Sequence, residues 1–112
     1  MHALDILGDP VRRRLLELLA SRDQPAGEVS RVVEGEFGIS QPAVARHLRV
    51  LREAGFVSAQ PQGARRIYRL EESVIDELQG QVDRYRSLWN QRLDSLETEI
   101  ARGKRERKEH AT

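Results

Sequence analysis

Residues 39–57 read ISQPAVARHLRVLREAGFV, and residues 63–70 read GARRIYRL. Ser40 suits a helix N-cap, because its hydroxyl can accept from an amide of the first turn. Pro42 falls in that first turn, where a missing N–H is tolerated. Val44, Leu48 and Leu51 recur at helical spacing and so share one apolar face. Gly55 stands where helices commonly end. Beyond it the period changes. Phe56, Val57 and Ala59 suit a strand, Pro61-Gln62-Gly63-Ala64 a turn, and Ile67, Tyr68 and Leu70 a return strand. The segment predicts a capped helix followed by a β-hairpin with arginines at its tip.

Working outward, Asp9-Pro10 marks an earlier helix start, a carboxylate N-cap followed by proline. Val11, Leu15, Leu18 and Leu19, widened by Leu16, predict a helix over about 10–21. Ala3, Leu4, Ile6 and Leu7 precede it as a short apolar turn broken at Gly8. Arg22-Asp23-Gln24-Pro25 reads as a loop. A second helix fits about 26–35, burying Val29, Val32 and Val33. Gly35 and Gly38 punctuate its end, and Phe37 and Ile39 serve as core plugs.

On the C-terminal side, Ser73 with Asp76 resembles a capping box for a long final helix. Its apolar residues, Ile75, Leu78, Val82, Tyr85, Trp89, Leu93, Leu96 and Ile100, follow a heptad-like seam with one stutter near Trp89. The expected organisation is a 1–73 winged region, a 74–102 dimerisation helix, and a polar, disordered tail over 103–112. The fold class is mainly α with one β-hairpin.

Charge is unevenly placed. The net charge is only +1, yet residues 40–70 carry six arginines against Glu53 alone. The flanking segments are each net acidic. A concentrated basic segment in a near-neutral chain is the footprint expected for a polyanion. With no cysteine among the 112 residues, a disulfide framework, a thiolate metal site and a cysteine nucleophile are all excluded. No apolar run approaches the roughly 18 residues needed to span a bilayer. No basic-then-apolar leader opens the chain. A cytoplasmic location is expected, with no membrane partner. A third of the residues are charged and few are aromatic, so burial in an oligomer is expected to supplement a small core.

Helix, helix, turn, helix, hairpin is the winged helix-turn-helix order, and groove geometry gives it meaning. The major groove of double-stranded DNA admits an α-helix whose first turn approaches base edges. With Val44, Leu48 and Leu51 inward, Pro42, Arg46 and Arg49 face outward, flanked by Gln41 and Ala45. Gln41 can bond adenine and Arg46 guanine, while Pro42 or Ala45 can touch a thymine methyl. Ser40 and the helix N-terminus suit a phosphate. Arg65 and Arg66 suit the backbone or minor groove.

The stretches quoted above closely resemble the arsenic-repressor (ArsR/SmtB-type) family of dimeric bacterial repressors. LGDPVRRRLLELLA at 7–20 matches that family's first core helix. The resemblance covers about 3–70, and YRSLWNQRLDSLE at 85–97 looks like the metal-independent branch. It implies a homodimeric transcription regulator, a repressor on an inverted-repeat operator. It also implies an interface from the first and last helices: Leu4 and Leu7 with Leu78, Val82, Tyr85, Trp89, Leu93 and Leu96. His47 occupies the family's RHL position, where it contacts a phosphate or supports packing. One departure is VEGEFG at 33–38, about three residues longer than the shortest family pattern. Another is the absence of the family's metal ligands. His2, His47 and His110 have no paired ligand spacing, and an oxygen-only set of Asp76, Glu77 and Asp83 is the weaker alternative. No metal or other cofactor is expected. No nucleophile elbow or phosphate-cradling glycine loop is present, and Ser73, Asp76 and His110 are scattered, so the chain does not read as an enzyme. The rival readings are a dimeric protein-interaction module and a sensor for a small ligand or metal, each with an unidentified partner or inducer.

Overall fold

The computed structural model describes the backbone of residues 3–110 and the side chains of residues 3–104. His2 and the end of the expected tail, 111–112, lie outside the described residues. The elements are α1 (Ala3–Ile6), α2 (Pro10–Ser21), β1 (Gln24–Pro25), α3 (Ala26–Phe37), α4 (Gln41–Glu53), β2 (Val57–Gln62), β3 (Arg65–Leu70) and α5 (Glu72–His110).

The expected caps of α2 and α4 are in place. The Asp9 carboxylate accepts from the amides of Val11 at 2.8 Å and Arg12 at 3.3 Å, which starts α2. The next arginines close α1: Arg12 Nε donates to the Ile6 carbonyl and Arg13 Nη1 to that of Leu7, both at 2.8 Å. Val11, Leu15 and Leu19 of α2, Val29 and Val33 of α3, and Val44, Leu48 and Leu51 of α4 form one buried cluster with Ile6 and Phe56. Full burial of each such side chain contributes about 1.5–3 kcal/mol.

Helix α3 departs from expectation. It runs two residues past Gly35, so VEGEFG becomes the helix's last turns and the added length does not enlarge the loop. Its anchor is tertiary. The Arg14 guanidinium grips both oxygens of Glu36 at 2.8 and 2.9 Å, and reaches Glu17 at 3.2 Å. Val32 is exposed, not buried, because Val29, Ser30 and Val33 centre the inward face and Val32 falls off its edge. Ser30 tolerates burial because its hydroxyl donates to Glu34 Oε2 at 2.9 Å. Phe37 ends the helix 38% exposed and does not plug the core, whereas Ile39 does pack against it.

The sheet has three antiparallel strands in the order β1-β3-β2, one more than the expected hairpin. Gln24 and Pro25, read as loop, pair with Tyr68 and Ile67. The hairpin is longer than expected, with pairing from Val57↔Leu70 to Gln62↔Arg65, and its turn shrinks to Gly63-Ala64. Pro61 therefore lies in a strand. β2 is an edge, where a residue without an N–H leaves no ladder bond broken.

Contacts divide the chain into two units, residues up to Leu78 and residues from Gln79 onward. The boundary falls later than 73 because Val74, in the first turn of α5, is buried in the core of the first unit. α5 starts at Glu72, which puts Ser73 inside the first turn and not at the cap. The backbone amide of Glu71 instead bonds the Phe56 carbonyl at 2.9 Å. At the other end α5 passes through Gly103 to His110. One glycine costs about 1 kcal/mol, and its arginine, lysine and glutamate neighbours are good helix formers.

Candidate nucleic-acid interface

The site is built on α4, and α4 is fixed at both ends. Ser40 Oγ accepts from the Ala43 amide at 3.3 Å, and Pro42 sits in the first turn. The cap uses a lone pair, so the hydroxyl hydrogen remains able to donate outward. At the C-terminus Phe56 N bonds Leu51 O at 2.9 Å and Gly55 N bonds Arg52 O at 3.1 Å. This is the Schellman pattern, and it requires the left-handed φ of 81° that Gly55 adopts. Phe56 is carried into the core and the chain turns directly into β2.

Anchoring of Val44, Leu48 and Leu51 turns the opposite face to solvent. Ser40, Gln41, Pro42, Ala45, Arg46 and Arg49 are all exposed, while His47 is half-buried at the edge of the packed face. The second basic element is the wing. Gly63 has φ of 62° and Ala64 has no positive φ, the φ signs of a type II′ turn, which suits the twist of the flanking strands. Arg65 and Arg66 follow at once, both exposed.

These cations are uncommitted. Among the described residues, Arg46, Arg49, Arg65 and Arg66 form no ion pair. The strong pairing lies elsewhere, at Arg14. There the guanidinium hydrogen bonds hold the Glu36 carboxyl below its ordinary value and raise that of Arg14. The sequence reading also leaves out Arg31 of α3, which lines a cleft with Arg65 and Arg66. Nothing local marks it, because its proximity depends on the β1–β3 pairing.

Among the described residues, no group of three or more His, Cys, Asp or Glu is placed to hold a metal ion. No described helix is long and apolar enough to cross a membrane. The expected interface residues are on the surface to different degrees. Leu4, Val82, Tyr85, Trp89, Leu93 and Leu96 are exposed, as is Leu88 beside them in sequence. Leu7 and Leu78 are partly buried against the core of the first unit.

A helix-turn-helix domain family matches residues 7–58. The HTH-type transcriptional regulator Rv2034 of Mycobacterium tuberculosis is 36% identical over 84 residues, 75% of each chain. The chain belongs to the ArsR-type family of helix-turn-helix transcriptional regulators. The transcriptional repressor SdpR of Bacillus subtilis is 32% identical over 71 residues, 63% of this chain and 74% of that one. Among solved structures, a possible transcriptional regulator for arsenical resistance superposes with a TM-score of 0.67. It is 34% identical, covering 76% of this chain and 84% of its own. In this ArsR-type chain the matched region takes in α2, α3 and α4 and ends in β2, the elements that build and orient the exposed face.

Proposed function

We propose that the protein is a cytoplasmic, homodimeric repressor that binds an inverted-repeat operator and blocks transcription by occlusion, with no catalytic activity of its own. The observation that carries this reading is the exposed face of α4, whose Gln41, Arg46 and Arg49 are free of internal partners over a fully packed inner face. Gln41 reads adenine, and Arg46 reads guanine through two parallel N–H bonds. Pro42 and Ala45 let the first turn approach a thymine methyl. Ser40, His47 and Arg49 fix the helix on the backbone, and Arg65 and Arg66 hold the wing.

Two such helices must reach successive major grooves, about 34–36 Å apart on one face of the duplex. The apolar row of α5 supplies the pairing surface. Val82, Trp89, Leu93 and Leu96 are exposed in the single chain, and a second copy covers them. Resemblance to the Bacillus subtilis repressor supports repression over activation.

The test is a footprint of the purified protein on the DNA upstream of its own gene, with light scattering of the same sample. The expected result is a protected palindrome of two half-sites one helical turn apart, bound by a dimer. Affinity that does not distinguish that sequence from random duplex would overturn the reading.

A further inference from the structure

Arg65 and Arg66, placed on the DNA backbone above, also line a concave basic surface that reaches α3. Between the first turn of α3 and the wing lies a cleft of about 340 Å³, whose charged lining is Arg31, Arg65, Arg66 and Glu28. The arginines come from distant parts of the sequence, and β1 brings them together. Gln24 pairs with Tyr68 and Pro25 with Ile67, so α3 begins directly beside the Arg65–Arg66 end of β3. The junction is held from inside. Gln24 is buried, and its side-chain amide donates to the Leu18 carbonyl at 2.6 Å.

The charge in this cleft is unbalanced. Arg31, Arg65 and Arg66 form no ion pair among the described residues. The acidic lining residue, Glu28, lies 3.7 Å from Arg22, which offsets its charge. Like charges gathered around a concavity focus the field and raise the local concentration of anions. The lining holds no aromatic residue and no apolar side chain larger than Pro25 and two alanines. Small-ligand pockets are mostly apolar and enclose their ligand. An open, cationic cleft fits a phosphodiester that stays hydrated on one side.

We propose that this cleft seats a DNA backbone phosphate and that Arg31 is its third cationic contact. The footprint then extends from the wing to the first helix of the helix-turn-helix pair. This rests on the DNA-binding reading above.

The test is a salt titration of operator and random duplex binding for the parent, Arg31→Ala, Arg31→Lys and Gly27→Glu. Each phosphate contact contributes about 0.9 to the slope of log K against log salt, so Arg31→Ala should flatten it by about 1.8 in a symmetric dimer. It should weaken operator and random duplex by the same factor, and Arg31→Lys should keep the parent slope. Gly27 lines the same cleft, and a Cβ there meets nothing within 4 Å. A carboxylate in the first turn of a helix is favoured by its dipole. Gly27→Glu should therefore melt no lower than the parent while binding both duplexes more weakly. A parent slope in Arg31→Ala with parent affinity in Gly27→Glu would overturn the phosphate seat and leave the repressor reading standing. A change of base preference in Arg31→Ala would overturn it as well. A parent that binds DNA without salt dependence would overturn both readings.

Discussion

The two units of the chain solve the problem of apolar surface in opposite ways. In residues 3–78, Ile6, Leu15, Val29, Val33, Val44, Leu51 and Phe56 are each no more than 1% exposed and pack into one core. From Val82 to Ile100 every apolar side chain of α5 is exposed, Tyr85 and Trp89 by 61%. The first region is stable through what it buries internally. The second is apolar in a pattern that only another surface can cover. A single helix has one face to offer, and in the proposed dimer a second copy would cover it.

The comparison is tested most severely by placing a charge on each side of it. Leu93→Glu puts a carboxylate into the proposed seam, where an unpaired charge costs several kcal/mol once buried. The expected outcome is a monomer by light scattering at micromolar concentration, with operator binding lost and the first unit still folded by NMR. A dimer of parent stability would break the contrast. Leu15→Ala acts on the closed region instead. It should destabilise by about 2–5 kcal/mol through lost burial and a cavity. Denaturant melts should show that loss at every protein concentration, because it lies within one chain.

Smaller effects sharpen the division of labour within the first unit. Arg46→Ala should cost about 1–3 kcal/mol on the operator and relax preference at one position in each half-site. Alanine at Arg65 or Arg66 should weaken all duplexes alike. Selection of bound sequences from a random pool checks both, and altered preference in the wing variants would exchange the two roles. The smallest effect concerns acid. Arg14 holds the Glu36 carboxyl below its ordinary value of 4.5. The stability this pair contributes is therefore present above that value and lost as pH falls through the lower folded one. Parent and Glu36→Gln should differ by a constant melting increment near neutrality. The increment should shrink below about pH 4.5, and one that grew on acidification would contradict the sign.

How much of this was legible depended on whether a signal was local. α2 and α4 were readable because Asp9 and Ser40 cap them and their apolar residues keep one period. The hairpin was readable from Gly63, although its strands reach closer to the turn than Pro61 suggested. β1 was not, since two residues carry no periodicity and their pairing with Tyr68 and Ile67 is long-range. The length of α3 was hidden for a similar reason. Gly35 resembles a stop, yet the left-handed cap is Gly38, and the Arg14–Glu36 pair beside the last turn joins residues far apart in sequence. The same limit applies to the site. The outward face of α4 follows from its period, while the place of Arg31 beside the wing follows from a strand the sequence does not announce.

Pro61 has a consequence for the wing as an object in a crowded cell. β2 is an outer strand, and an open strand edge is a template on which another chain can add. Near the tip, Pro61 offers no N–H to such a newcomer, so the row of donors is interrupted where the hairpin is most exposed. A chain that pairs through one surface, as proposed, is thereby discouraged from polymerising through another.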